Sequence, residues 1–402
     1  MRTRREFLLS LGAVAAASRR AIALPFRRAK STPSPMYRVY FGTDTSKGEA
    51  RGIYRATFDT RTGQLTQMVV AAATEQPSFL ALGPAVGTRR MLYAVGEAGD
   101  GSVSSFVVDP RTGDLQRVGQ VSSGTAGPCY VSVDATGHAA FTANYAGGGV
   151  SSYRVQADGT LSAPVDQVKY KEEGARFGEN GPMAARQNGP HPHSATISPD
   201  NRFLVVCDLG HDRISIFAID PATATMTTSE PHLFSNNRPG SGPRHVVFHP
   251  NQRWVYGINE LDDSVDHYLW TATHGEHGQG LLTLAGPPVK TIAIDYPGNK
   301  NTAAEVAIAP NGYFLYASNR GENSLVVFTI NQDTGALTEL QRISCGGKMP
   351  RHFAIDPTGN WLLCGNQEAG GVTVFRRDGG SGQLSGPVAS LPVPGPMFTL
   401  FV

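Results

Sequence analysis

The 402-residue sequence predicts an all-β chain closed into a seven-bladed β-propeller, with four antiparallel strands in each blade. Three observations carry that prediction. A segment recurs seven times at a spacing of about 50 residues, the signature of an array of one supersecondary unit. Its composition, 46 Gly and 27 Pro with only 17% charged residues, suits many short strands joined by turns. The two ends of the chain are each an incomplete unit, and together they make a whole one.

Two copies show the repeat: HPHSATISPDNRFLVVCDLGHDRISIFAIDPATATM from His191 to Met226, and AAEVAIAPNGYFLYASNRGENSLVVFTINQDTGALT from Ala303 to Thr338. The second unit reads most cleanly as strands, with SFLAL (Ser78–Leu82), MLYAV (Met91–Val95), GSVSSFVVD (Gly101–Asp109) and LQRVGQVSS (Leu115–Ser123). Alternating apolar residues, β-branched and aromatic content and bounding turns support each of them. The last turn of a unit recurs as Thr62-Gly63, Thr112-Gly113, Asp158-Gly159, Thr334-Gly335 and Ser381-Gly382, where a tight turn needs positive φ. The first unit, Tyr37 to about Ala73, opens at its second strand, YRVYFGT, and lacks an innermost one. The chain ends in GPMFTLFV (Gly395–Val402), a lone strand. Donating it to the first blade closes a ring, whereas an open solenoid needs polar caps at both ends.

Antiparallel neighbours place the start of an innermost strand and the end of the second strand on one face of the disc. That face collects the polar residues. Innermost strands open with His191-Pro192-His193, Gly242-Pro243-Arg244-His245, Glu305 and Pro350-Arg351-His352 in blades four to seven. Second strands end at Asp208, Asn259-Glu260, Asn319-Arg320, and Asn366 with Glu368. The longest irregular stretch, about Lys171 to Pro190, joins blades three and four and should arch over this face. Asp208, Asn319 and Asn366 also suit plain turn caps. Several Arg and His converging on a channel mouth invite a carboxylate or phosphate, because guanidinium groups do not lose their charge. By the same count His211, Asp212, His232, His249 and His267 fall in the outer parts of blades and read as surface or turn residues. No cofactor is expected. No metal is expected either, since His191-Pro192-His193 has no third ligand at a readable spacing.

Residues 1–23 read as a targeting segment. Thr3-Arg4-Arg5-Glu6-Phe7-Leu8 is a twin-arginine signature, an apolar run follows to Ala17, and Ala21-Ile22-Ala23 offers a cleavage site. The run is too short to span a bilayer, and no Cys follows it to carry a lipid anchor. The expected partner is the twin-arginine export machinery and the expected location periplasmic. Residues 24–36 then form a linker and 37–402 the propeller. The whole chain has a formal charge of +2, but without residues 1–23 it holds 30 cationic and 32 anionic side chains. That balance gives no reason to expect nucleic acid or an anionic membrane as a partner. Four Cys, none in a C-x-x-C pair, argue against zinc. Cys207 and Cys364, inside apolar strands, read as buried thiols.

The stretches HPHS (His191–Ser194), GPRHVVFHPN (Gly242–Asn251), INELDDSV (Ile258–Val265), SNRGENS (Ser318–Ser324) and PRHFAIDPTGNWLL (Pro350–Leu363) resemble one family. It is the lactonase family of seven-bladed propellers, which includes propeller-type 6-phosphogluconolactonases and 3-carboxy-cis,cis-muconate lactonizing enzymes. The resemblance covers about Tyr37 to Val402. It implies a cleft built from a His, two Arg and a Glu, which fall on His193, Arg244, Glu260 and Arg320. His191, His245, Arg351 and His352 are the expected substrate-binding residues around them. Sugar-phosphate lactones are cytosolic metabolites, and the export signal departs from that setting.

The expected chemistry is opening of a small-molecule lactone by water. Glu260 or His193 would act as general base and the other would protonate the leaving alkoxide. Arg244 and Arg320 would stabilise the oxyanion and hold a phosphate or carboxylate. Cycloisomerisation of a muconate-like carboxylate in the same pocket, and a non-catalytic binding propeller, are the alternatives.

Overall fold

In the computed structural model, residues 36–85, 89–228, 234–273 and 278–402 are described. The targeting segment and His232 lie outside the described residues. The strands form seven antiparallel sheets, and the ring closes as expected. The last strand, Pro396–Phe401, pairs with Met36–Thr43 in the register Val39↔Phe401 through Thr43↔Pro396, becoming the innermost strand of blade 1. From innermost outwards, blade 2 begins with Leu80–Leu82 and Arg90–Gly96, and blade 3 with Pro128–Val133 and Ala139–Asn144. Blade 4 begins with Pro192–Ile197 and Phe203–Asp208, and blade 5 with Pro243–Phe248 and Trp254–Asn259. Blade 6 begins with Thr302–Ile308 and Phe314–Arg320, and blade 7 with Lys348–Ile355 and Trp361–Ala369.

Blades 4 and 5 depart from the simple pattern, because their outer strand is split. Thr225–Thr228 and Phe234–Asn236 pair with opposite ends of Arg213–Asp220. Gly280–Leu284 and Val289–Lys290 do the same along Ser264–Ala272. Helix is confined to two short 3-10 turns among the described residues, Gly174–Phe177 and Gly298–Lys300.

Each blade is hydrophobic on both faces, so cores form between neighbouring blades. Phe141, Phe177, Leu204, Val206 and Phe217 pack blade 3 against blade 4, and Phe41, Phe58, Trp361 and Leu363 pack blade 7 against blade 1. The repeat's turn glycines serve these joints. Gly113, Gly159, Gly335 and Gly382 take φ between 74° and 86° along with Gly63, and their carbonyls accept hydroxyls from the preceding blade. Tyr40, Tyr93, Tyr256 and Tyr316 donate to them at 2.6, 2.9, 2.7 and 2.6 Å. At the closing joint Trp361 Nε1 donates to Thr60 O at 2.7 Å, and a Cβ on Gly63 would lie 2.4 Å from its ring. All four Cys are buried free thiols.

Candidate active site

One backbone device builds the mouth of the channel. Innermost strands in five blades enter through a proline (Pro396, Pro128, Pro192, Pro243 and Pro350), and the register slips by one residue immediately after it. In blade 5, for example, Pro243 pairs with Asn259 but His245 pairs with Ile258, leaving Arg244 as the extra residue. The slip in blade 6 falls between Ala303 and Val306. A β-bulge of this kind re-aims side chains. It yields two tiers around the axis. The bulged tier carries Met397, Cys129, His193, Arg244 and Arg351; the tier after it carries Phe398, Tyr130, Ser194, His245 and His352, with Glu305 from blade 6 and Phe79 from blade 2.

Glu260 is the hub of the first tier. It directly follows the second strand of blade 5 and is 3% exposed. Arg320 Nη2 lies 2.7 Å and Arg244 Nε 3.2 Å from its Oε2, while Arg186 bonds Oε1. Burial by itself would raise the Glu260 carboxyl, but the guanidiniums of Arg320, Arg244 and Arg186 outweigh it and hold the group well below the ordinary carboxylate range. Arg244 also donates to Ala304 O at 2.6 Å, and Arg320 to Ala303 O at 3.0 Å. Both arginines are therefore fixed from two sides. Burial, with repulsion from neighbouring guanidiniums added, draws both guanidiniums below their usual value.

His193 is 5% exposed, with Nδ1 buried and lacking a protein hydrogen-bond partner. Burial first, and then the charges of Arg244, His245, Arg351 and Arg320, push its pKa well below that of free imidazole. It is a neutral base at neutral pH. His245 and His352 flank Glu305: His245 Nδ1 lies 3.3 and 3.2 Å from the two carboxyl oxygens, and His352 Nε2 lies 3.5 Å from Oε2. Arg351 is half-buried, its charge is felt at His193, His245 and Arg244, and it has no carboxylate partner among the described residues.

His191 stands apart from this cluster. Its ring stacks on Tyr145 at 4.5 Å, Nδ1 and Nε2 engage Tyr145 O and Asn188 Oδ1 at 2.9 Å each, and it lines a recess of about 450 Å³ with Tyr170, Lys171 and His211. Asp208 Oδ1 accepts the His191 and Gly210 amides at 2.7 and 2.9 Å, a turn cap.

Two expectations need correcting. His211 and Asp212 are buried on the mouth face, not in an outer part of the blade. Asp212 accepts the amides of Gly240 and Gly242 at 2.7 Å each, so it shapes the approach to Arg244. His249 and His267 are also buried rather than surface residues: His249 Nε2 engages Gly312 O at 2.8 Å, and His267 stacks on Tyr256 at 4.9 Å.

Arg186 is the residue that sequence reading missed. It rides the loop before Pro190, which does bend over the mouth. Gln187, beside it, is buried and its amide donates to Leu209 O and Asp212 Oδ1 at 2.8 Å each. The signal available was a lone Arg-Gln in a polar loop, with no periodicity to aim it.

Comparison with known proteins decides the family. The sequence profile described as "Lactonase, 7-bladed beta-propeller" matches residues 38–401. The chain belongs to this lactonase family. It is 32% identical over 367 residues to a 6-phosphogluconolactonase of Bacillus subtilis, covering 91% of this chain and 98% of that one. A 6-phosphogluconolactonase of Formosa agariphila is 32% identical over 357 residues, covering 86% and 94%. Among solved structures, the periplasmic gluconolactonase of Pseudomonas aeruginosa superposes with a TM-score of 0.81 at 30% identity, covering 91% of this chain and 99% of that one. By this kinship the chain is a lactonase, a hydrolase. No helix among the described residues is long and apolar enough to cross a membrane.

Proposed function

We propose that this lactonase is of the 6-phosphogluconolactonase type and opens a sugar lactone by attack of water in the arginine-rich mouth. The observation that carries the reading is a neutral His193, its Nδ1 without a hydrogen-bond partner, beside guanidiniums locked in place by Glu260. His193 takes a proton from water as the oxygen attacks the lactone carbonyl. Arg244 and Arg320 face the oxyanion, in a buried site where such donors count for more than in water. The ring C–O bond then breaks and the alkoxide recovers the proton. Glu260, ionised and saturated by three guanidiniums, is a poor base; its part is to fix the arginines. Four guanidiniums, of Arg186, Arg244, Arg320 and Arg351, against the carboxylates of Glu260, Glu305 and Glu97, whose charge is felt at Cys129, leave the mouth cationic, which favours a substrate carrying a phosphate or carboxylate. Arg351, and Arg186 at the rim, are placed to meet that charge, with His352 and His245 in the tier below.

The same proposal includes export. The twin-arginine segment at residues 1–23 and the likeness to a periplasmic gluconolactonase support it. Replacing Arg4 and Arg5 by Lys should retain the protein in the cytoplasm on fractionation.

The deciding assay supplies purified protein with phosphorylated and unphosphorylated sugar lactones and with muconates, with and without chelator. Lactone hydrolysis that survives chelator is expected. Turnover of muconates alone would assign cycloisomerisation instead, and binding without turnover would leave a binding propeller.

A further inference from the structure

The second tier divides the channel in two. Blades 1, 2 and 3 contribute Phe398, Phe79 and Tyr130, whose rings pack at 4.0 and 4.1 Å. Blades 5, 6 and 7 contribute His245, Glu305 and His352. The aromatic half closes against the ionisable half: His352 lies 4.0 Å from Phe398, His245 5.5 Å from Tyr130, and Phe79 6.2 Å from each imidazole. The His–Glu–His array is thus walled across the channel by rings, and the guanidinium tier lies above it.

A structural role alone, joining blades 5, 6 and 7, asks only for groups that hydrogen-bond. This array does more, because its groups are arranged as a path. Glu305 is 7% exposed, and its Oε1 accepts the Val306 amide at 3.0 Å while its own amide donates to Ser318 Oγ at 3.0 Å. Its carboxyl fixes the Nδ1 side of His245. The ring of His245 meets that of His193 edge to face, with centroids 5.1 Å apart, so the two imidazoles are in direct contact. Arg244 Nη1 sits 3.3 Å from both ring nitrogens of His245.

We infer that Glu305 is the positioning residue that stores the proton of the reaction, exchanging it with His193 through His245. This rests on the lactone-hydrolase reading. The O–H bond of the attacking water breaks as its O–C bond forms, and the proton goes to one nitrogen of His193. The N–H on the other nitrogen of His193 passes its proton to His245 Nε2, and His245 Nδ1–H passes its own to the Glu305 carboxylate. Both imidazoles remain neutral. The reverse sequence delivers one proton to the alkoxide released as the ring C–O bond breaks. No oxidant or reductant takes part.

Charge favours this storage. The groups facing Glu305 are His245 and Arg244 from blade 5, His352 and Arg351 from blade 7, and Tyr130 from blade 3. Burial first, then the neighbouring guanidiniums, disfavour imidazolium at His193 and His245, and burial likewise lowers His352 to about 4. Burial raises Glu305 instead, with His352 and Arg244 opposing. The carboxylate is the one group in the array that burial makes easier to protonate.

The test is Glu305→Gln in the full chain, with kcat and kcat/KM followed across pH. Gln keeps an acceptor for His245 Nδ1–H but cannot hold the proton. Expected are a kcat loss on the order of 10²–10⁴-fold, the range of general acid–base catalysis, and a KM within about twofold. The fall in activity as wild-type pH drops through the Glu305 pKa should disappear. Glu305→Asp should recover part of kcat together with that acid limb. Wild-type kcat with an unchanged limb in Glu305→Gln would overturn the inference. If Glu305→Gln does not fold, pH-difference infrared spectroscopy of wild type and Glu305→Asp decides. A protonated-carboxyl band that tracks the kinetic limb and moves in the Asp variant supports it, and a band that does neither overturns it. A wild type that opens no lactone removes the hydrolase reading itself, an outcome seen before any variant is made.

Discussion

Glu260→Gln is the sharpest perturbation of the mouth, because it swaps one oxygen for an amide and changes the charge of a group that three guanidiniums share. Arg244 and Arg320 have side chains 3% and 7% exposed, so both lose a buried counter-charge. Breaking a buried pair from one side costs about 3–5 kcal/mol. Here each arginine keeps a backbone carbonyl at 2.6 or 3.0 Å, and Arg186, 38% exposed, can turn to water. The lower end, about 3 kcal/mol, is therefore expected. With about 2 cal/mol/K of unfolding entropy per residue, that lowers Tm by roughly 4 °C for a propeller of this size. Loosened donors at an oxyanion cost about 10²–10³ in kcat. KM for an anionic lactone should hold or fall, since the mouth gains positive charge. The sign with pH follows from the depressed carboxyl. Its stabilisation is complete above the unfolded value of 4.5 and is lost as pH falls through its lower folded value. The Tm gap between wild type and variant should close in that acid range. Thermal melts and lactone kinetics on the same preparations read both effects. A variant that melts lower yet keeps kcat within about threefold of wild type would refute the claim that Glu260 aligns the catalytic arginines.

Three further outcomes follow from the geometry. Arg186→Ala should raise KM for an anionic lactone about tenfold, the worth of one partly exposed charged hydrogen bond, with kcat within about threefold; an unchanged KM would remove Arg186 from substrate binding. Asp263, buried beside Asn301 Nδ2 at 2.7 Å, is raised by burial from 3.8 to about 6. A raised carboxyl gives stability present below 3.8 and lost as pH rises through 6, so Asp263→Asn should gain about 1–3 kcal/mol at pH 8 and nearly nothing at pH 4. Asn tolerates its φ of 53°, and equal gains at both pH values in urea melts would show a cause other than ionisation. Deleting residues 396–402 exposes the edge of Met36–Thr43, so size-exclusion chromatography should show aggregate or unfolded chain rather than a compact monomer.

The ring, its closure by Pro396–Phe401 and the face bearing the polar residues were legible because each follows from periodicity. A repeat fixes strand order, and antiparallel pairing fixes which ends meet. What the sequence withheld were features without a period. The bulge that re-aims His193, Arg244 and Arg351 shows only as a proline recurring two residues before the paired position. Read as plain alternation, His193 and Arg244 would point into the blade rather than the channel. Arg186 depends on how Gln187 anchors an irregular loop, and nothing local encodes that. His191 and His193 are two apart and look alike in sequence, yet Tyr145 stacks on one and meets the other only edge-on, and the guanidiniums surround that second one.

The division of the second tier explains why its ionisable groups sit to one side of the axis. Seven equivalent backbone positions could carry seven equivalent side chains. Phe398, Phe79 and Tyr130 instead fill the axis from blades 1 to 3 and exclude water from the groups opposite. Excluding water lowers the local dielectric, and that strengthens every charge interaction among Arg244, Arg320, Glu260 and Glu305. It also makes an isolated imidazolium costly, which is why neutral His193 and His245 can coexist with a raised Glu305. The aromatic blades are thus as much a part of the site as the blades that bear its charges. Phe79→Ala would act on catalysis by admitting water, though its ring touches neither Glu260 nor the arginines that Glu260 holds.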